Sequence, residues 1–452
     1  MNPQEPEPLR IRQIRIDGLF GLYNHCINLN MKERVTILHG PNGVGKTVTL
    51  KLIEAFLKGD YAEFVLFPFD MFVVTFTDGS VLSLYLSTKQ GTSYHGINVN
   101  LVTADVNGCH RGYIRVTQSG SRQTHSNLLR LLGRKPNASS TNRLLGDILG
   151  ENRQQLKASS QVSDLINEIS QSAEEEPSWL KNFRAKIGSG GKASIHFIAT
   201  QRLIRFKDRR SLSGGALTIM EYSRSLKSTI EKTLAQYSLS SQTLDQSFPL
   251  RLLSASANPL ENDKLKQRME ELEAQRLELQ QVGLLDDAPA ALFDPAKLDE
   301  LISQENKVMT LYVQDTEQKL AVFEDLARRI KTLLDNINTK FKNKRLRIDR
   351  DKGFVVTTDA KQNLDLDSLS SGEQHEIVLL YDLLFRIKPN TLVLIDEPEL
   401  SLHVVWQKLF LPDLLKIAEV AQIDVLMATH SPYIVGDHAE LMVALETGTS
   451  RA

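Results

Sequence analysis

The sequence predicts an α/β fold in two lobes, separated by a helical, coiled-coil insertion. Three observations carry this. Near the start, the apolar run Val35–Leu38 meets a glycine-rich turn and then an amphipathic helix. Late in the chain, Thr391–Ile395 and Ile423–Ala428 are near-continuous apolar runs, as strands covered on both faces require. Between them, apolar residues recur at heptad spacing. A length of 452 residues exceeds one compact core, so two or three domains, or one domain with a large insertion, are expected.

Composition removes several function classes. Lys+Arg number 54 against 55 Asp+Glu, so a net charge of −1 offers no global attraction to nucleic acid or an anionic membrane. Hydrophobic residues at 41% and charged residues at 24% exclude whole-chain disorder. Cys26 and Cys109 are the only cysteines and form no CxxC, which argues against a disulfide scaffold or a structural zinc site and suits a reducing compartment. The leader MNPQEPEPLRIRQ is polar and Pro-rich, unlike a signal peptide, and no run of eighteen apolar residues could span a membrane. A soluble, cytoplasmic protein is expected.

The elements follow in order. Ile11 to Ile16 alternate apolar and polar residues, as does a stretch ending at Leu29, so both read as strands. After Val35–Leu38 a helix is predicted with Val48, Leu52, Ala55 and Phe56 on one face and Gly59 as its C-terminal stop. Phe72–Phe76 and Val81–Leu86 flank Asp78-Gly79, a hairpin signal. From Thr117 to Lys192 the chain is rich in Ser, Gln, Asn and Gly, with short helical patches such as Ser163–Ile169. Ile195–Arg202 reads as a strand running into a polar turn.

The middle is helical. Leu265, Met269, Leu272 and Leu279 keep a four-three spacing with Arg276 breaking one position, and Leu320, Phe323, Ala327, Ile330, Leu334, Ile337 and Phe341 hold it without a break. The Pro-containing stretch Gly283–Pro295 lies between, so an antiparallel coiled-coil hairpin is expected, with Leu284, Leu285, Leu292 and Phe293 exposed at its turn; two packed helices of a globular domain would share the pattern. The predicted organisation is an N-terminal lobe at 1–117, a polar variable insertion at 118–192, a returning strand at 193–205, a helical and coiled-coil insertion at 206–345, and a C-terminal lobe at 346–452.

Gly40-Pro41-Asn42-Gly43-Val44-Gly45-Lys46-Thr47 matches G-x-x-x-x-G-K-[ST] between a strand and a helix. Glycines let successive backbone N–H groups turn toward phosphate oxygens at a helix N-terminus. Lys46 would place a charge on the β- and γ-phosphates, and the Thr47 hydroxyl would ligate Mg²⁺. ATP or GTP is the expected ligand. Leu392–Ile395 then delivers Asp396 and Glu397 at a strand end. Asp396 would hold the Mg²⁺ shell, and Glu397 would orient or deprotonate the attacking water.

Leu369-Ser370-Ser371-Gly372-Glu373 places hydroxyls and a glycine at a helix start, which suits either an anion site or a serine helix cap. His430 ends an apolar strand before Ser431-Pro432 and is either structural or a phosphate contact. Gln201 follows the strand at 195 and would reach Mg²⁺ and water, with Arg202 as an alternative nucleotide contact. Asp365 and Asp367 resemble an acidic pair but abut the serine-rich loop. The basic runs Arg202–Arg210 and Lys340–Arg350 could meet nucleic acid or an acidic partner, although solvated helix ends explain them more simply.

In this order GPNGVGKT, LSSGEQHE, LVLIDEPELSLH and MATHSPYIV resemble the motifs of ABC-type ATPases of the RecF, SMC and OLD group, over roughly 8–117, 193–205 and 346–440. The resemblance implies a two-lobed ABC-type head, a P-loop NTPase that binds ATP with Mg²⁺ and hydrolyses it. It implies that Ser370, Ser371, Gly372 and Glu373 are a variant signature completing the nucleotide site of a second copy, so a homo-oligomer carries nucleotide at its interfaces. Glu399–His403 becomes a D-loop crossing that interface, His430 the switch histidine at the γ-phosphate, and Gln201 the glutamine-loop residue.

Segments such as FDMFVVTFTDGS and FIATQRL further resemble the AriA-type ATPases of PARIS anti-phage systems, with the PtuA-type ATPases of Septu as a close competitor. That likeness implies a Toprim-type nuclease partner, released on a phage-encoded trigger. OLD nucleases fuse such a domain after the ATPase, and with only a short stretch beyond His430 none is expected in this sequence. A DNA repair or chromosome-maintenance ATPase is the alternative. A transporter motor is disfavoured by the long stretch between Thr47 and Ser370.

Overall fold

The computed structural model describes residues 9–87, 94–102, 109–117, 176–187, 195–199, 214–254, 259–286, 298–400 and 404–445. The chain divides into two compact units, Met1–Arg202 with Ile387–Ala452, and Leu203–Arg386. Residues 346–386 thus group with the helical segment rather than with the chain's C-terminal part.

The first unit begins with β1 (Ile11–Leu19), β2 (Tyr23–Asn28), β3 (Val35–His39), α1 (Lys46–Lys58), α2 (Ala62–Leu66), β4 (Met71–Phe76), β5 (Val81–Ser87), β6 (Tyr94–Val102) and β7 (Cys109–Thr117), followed by α3 (Ser178–Lys186) and β8 (Ile195–Ala199). An antiparallel six-stranded sheet runs β2-β1-β4-β5-β6-β7. The Asp78-Gly79 hairpin forms where expected, because Gly79 takes φ 84° and Asp78 Oδ1 accepts the Ser80 N–H at 2.8 Å. Along β4 Phe72, Val74 and Phe76 alternate inward. Phe72 meets Phe56 of α1 and Phe64 of α2 at centroid distances of 5.9 and 5.5 Å. These aromatic contacts seat α1, and with it the turn that precedes it, on a buried apolar bed.

The second unit contains α4 (Gly214–Leu253), α5 (Asn262–Gln281), α6 (Leu298–Ala321) and α7 (Glu324–Lys340). A three-stranded sheet follows, β9 (Lys344–Asp349), β10 (Gly353–Thr358) and β11 (Asn363–Leu364), and then α8 (Ser371–Tyr381), which continues as a π-helical turn over Asp382–Arg386. The expected heptad residues Leu265, Met269, Leu272 and Leu279 are buried on α5.

The expected antiparallel hairpin between α5 and α6–α7 is overturned. Asn262 meets Asn306 at 2.6 Å, Arg268 meets Glu317 at 2.6 Å, and Glu278 pairs with Lys331. Partners therefore advance together along both segments, which run in the same direction. The antiparallel neighbour is α4: Arg251 binds Asp315, Asp245 binds Lys319, and the Tyr237 ring packs on Phe323. A reversal thus follows Leu253, between α4 and α5. Heptad spacing marks an apolar face and carries no information about the neighbour's direction.

Two further expectations change here. The seam from Leu320 to Phe341 is not one helix, since the chain turns at 322–323, and Leu333 rather than Leu334 is buried on α7. Leu284, expected to be exposed, is fully buried, with Gly283 at φ 80° close against the Ile348 carbonyl. Leu292 and Phe293 lie outside the described residues.

The chain returns to the first unit as β12 (Leu392–Asp396), α9 (Val404–Ala421), β13 (Asp424–Ala428), α10 (Pro432–Val435) and β14 (Met442–Ala444). A parallel sheet results, ordered β14-β3-β13-β12-β8. Every residue of β12 and β13 is buried, which is why both read as unbroken apolar runs. Register brings Leu38, Ala428, Asp396 and Ala199 side by side at one sheet edge.

Candidate nucleotide site

At that edge β3 gives way to the glycine-rich turn and α1. Gly43 and Gly45 take φ 86° and 95°, values that side-chain-bearing residues seldom adopt, and Gly45 caps the helix with no acidic residue in its first turn. An α1 N-terminus without acidic neighbours keeps its partial positive charge available for an anion. A Cβ on Gly45 would come within 2.7 Å of Leu19, so the turn is also tightly backed. His25 of β2, itself buried, braces the loop through Nε2 and the Val44 carbonyl at 2.9 Å. Sequence reading missed this residue, because nothing local to His25 points to the loop.

Lys46 is nearly buried and donates to the carbonyls of Gly40 and Pro41 at 2.7 and 3.0 Å. Burial pushes its ammonium below the ordinary lysine value, opposed by Glu397, Asp396 and Glu399. The Thr47 hydroxyl donates to Asp396 Oδ1 at 3.1 Å, so a hydroxyl and a carboxylate oxygen stand together beside the loop. That pair of hard oxygen donors fits Mg²⁺.

Glu397, directly after β12, has φ 49°, with its N–H donating to the Ala428 carbonyl at 2.8 Å. A glutamate in left-handed conformation is unusual, and such backbone outliers concentrate at functional sites. His430 follows β13, and its Nδ1 lies 3.4 Å from Lys46 Nζ. Burial, and then Lys46, push the imidazole below its ordinary value, against Glu397 and Glu399. The structure thus brings Lys46, Thr47, Asp396, Glu397 and His430 to one sheet edge, although they come from opposite ends of the chain.

Glu399 is a second residue that sequence reading left without a role of its own. Its carboxylate accepts the Thr429 hydroxyl and the His430 N–H, each at 2.8 Å. Gln201, Arg202 and the D-loop residues 401–403 lie outside the described residues, as do the basic residues through Arg210.

In the second unit Ser370 caps α8. Its Oγ accepts the Glu373 N–H at 3.4 Å, while Glu373 Oε2 accepts the Ser370 N–H at 3.0 Å. The serine cap and the signature-like loop are therefore the same residues, with Ser371 and Gly372 forming the helix's first turn. Glu373 also pairs with Lys344 at 3.0 Å. The basic run Lys340–Arg350 divides, with Lys342, Arg345 and Arg347 exposed to solvent, the last two on β9 rather than a helix end, and the other three paired. Lys340 is 2% exposed and pairs with Glu376, Lys344 takes Glu373, and Arg350 takes Asp286.

One strand, β13, separates the glycine-loop strand from the strand ending in Asp396, and β8 flanks the latter. The first unit is thus an α/β fold in which a glycine-rich turn and an acidic strand end open on the same edge of a parallel sheet. Residues 221–436, a little under half of the chain, match the family described as "AAA domain, putative AbiEii toxin, Type IV TA system". The match takes in Ser370, Asp396 and His430 and leaves out the P-loop. Similar solved structures include the Smc head domain of Pyrococcus furiosus bound to the C-terminal domain of ScpA, at 13% identity and TM-score 0.34, covering 97% of this chain and 94% of that one. The SMC head domain of Thermotoga maritima is similar at 12% identity and TM-score 0.34, covering 96% and 94%. None of the curated proteins matches. Among the described residues no helix is long and apolar enough to cross a membrane.

Proposed function

We propose that this protein binds ATP with Mg²⁺ and hydrolyses it to ADP and phosphate. The observation that carries the reading is the meeting of Thr47 and Asp396 at the N-terminus of α1, with Lys46, Glu397 and His430 around them. Backbone N–H groups of Gly43 to Thr47 cradle the phosphates, and Lys46 offsets their charge. Thr47 and Asp396, with Gln201, would hold Mg²⁺, which when bound would supply positive charge against the phosphate oxygens. Glu397 takes the proton of the water that attacks the γ-phosphorus, and His430 donates to the terminal phosphate. Ser370, Ser371, Gly372 and Glu373 complete the nucleotide site of a second copy, so a homo-oligomer forms around the nucleotide.

We further propose that the ATPase serves anti-phage defence, holding a Toprim-type nuclease until a phage-encoded protein triggers its release. The AriA-like segments support this role, and the toxin–antitoxin wording of the matched family fits it. Phosphate release from ATP tests the activity. Wild-type protein should turn over, and Lys46→Ala, lacking the charge that offsets the triphosphate, should lose ATP affinity and turnover together. Unchanged affinity in Lys46→Ala, read by calorimetry, would refute the P-loop assignment. Purification with the products of neighbouring genes tests the defence role, and a nuclease should come with the chain.

A further inference from the structure

Thr429 and His430 directly follow β13, and Pro398–Leu400 forms a short turn just after β12. The two loops are held by a closed ring of side chains. Glu399 Oε2 accepts the hydroxyl of Thr429, a residue with no solvent exposure, at 2.8 Å. Oε1 accepts the His430 N–H at 2.8 Å. Thr429 Oγ1 in turn accepts the Ser431 N–H at 3.0 Å, and the Ser431 hydroxyl donates to Gln407 Oε1 at 2.9 Å. Buried Gln407 closes the ring by donating from Nε2 to the Glu399 carbonyl at 3.2 Å.

We infer that Glu399 is a positioning residue, holding the His430 backbone so that the ring meets Lys46 through Nδ1 and directs Nε2–H at the terminal phosphate. The tautomer follows from donor chemistry. Lys46 Nζ has only protons to offer, so Nδ1 at 3.4 Å accepts, and the imidazole proton resides on Nε2. A neutral ring then presents one donor, aimed by a carboxylate that fixes the main chain from which it projects. Charge-assisted bonds from a carboxylate to an N–H and an O–H are stronger than neutral ones, which suits a residue that must hold still during turnover. The inference deepens the proposed function and rests on its assignment of His430.

Four variants separate this role from simple structural support. Glu399→Ala should keep ATP affinity within about threefold while kcat falls by roughly 10- to 100-fold, as expected of a misaimed donor. Glu399→Gln retains a carbonyl oxygen for the His430 N–H and should recover most of kcat. Because Glu399 acts through His430, Glu399→Ala with His430→Ala should be no slower than His430→Ala alone. Wild-type kcat in Glu399→Ala, or a double variant slowed by the product of both single effects, would overturn the assignment. Ring nitrogen NMR of His430 without nucleotide reads the same contact apart from turnover. Wild type should show one tautomer protonated at Nε2, and Glu399→Ala should show mixed tautomers. An unchanged ring signal would reject the positioning role even if the protein hydrolysed no ATP, whereas absent turnover with the expected NMR change would reject only the ATPase reading.

Discussion

Thr47 and Asp396 lie 349 residues apart in the chain and meet through a 3.1 Å hydrogen bond from the threonine hydroxyl to the carboxylate. The contact exists because β3 and β12 sit one strand apart in a parallel sheet, so both strand ends open on the same edge. Ligand sites of α/β sheets form at such edges, where loops leave the carboxyl ends of the strands.

Binding and hydrolysis should separate at Glu397. Glu397→Gln keeps a side chain of the same shape on the φ 49° backbone but cannot accept a proton. ATP affinity should survive, while phosphate release falls by about 10²–10⁴-fold. Single-turnover assays decide this, and a wild-type rate would assign the base elsewhere.

Composite sites should show in mixtures. Ser370→Arg places bulk and charge at the α8 cap and should abolish turnover while leaving ATP binding intact. Mixed with Lys46→Ala, it should regain part of the activity, because one hybrid interface holds an intact loop and an intact signature. Normal hydrolysis by Ser370→Arg alone would remove the signature role.

Acid should loosen the α8 cap through Glu373. Burial alone would raise this carboxyl, but hydrogen bonds from Lys344 and Ser370 outweigh it and hold it below its ordinary 4.5. A depressed folded value means that the stabilisation is fully present above 4.5 and disappears as pH falls through the lower folded value. Melting temperatures from pH 6 to pH 3 should therefore converge for wild type and Glu373→Gln, with wild type ahead at pH 6. A constant gap across that range would contradict the coupling.

The buried turn after α5 should tolerate little change. A Cβ on Gly283 would meet the Ile348 carbonyl at 2.3 Å, and its φ of 80° disfavours any side chain. Gly283→Ala should cost about 1–3 kcal/mol in urea unfolding. An unchanged midpoint would return this turn to the solvent-exposed role that its leucines suggest.

Much of the site was legible in the sequence because its chemistry is local. A P-loop needs only glycines, a lysine and a threonine between a strand and a helix, and GPNGVGKT supplies them in consecutive positions. Asp396 and His430 were readable for a related reason, since one ends and the other closely follows an apolar run whose burial predicts a strand edge. The helical insertion was legible only in part. Apolar spacing identified the buried residues of α5, but burial of apolar surface is non-directional, so the pattern could not distinguish a parallel neighbour from an antiparallel one.

By itself the sequence determined where the glycine-rich turn, the acids and the histidine occur, since each depends on a residue type next to a local backbone form. Tertiary structure alone decided that Glu399 holds His430, that His25 braces Val44, and that α5 runs alongside α6–α7 in the same direction. Those facts are contacts between distant segments, and hydrogen-bond partners across such gaps are set by strand register and packing, which leave no periodic mark on the chain.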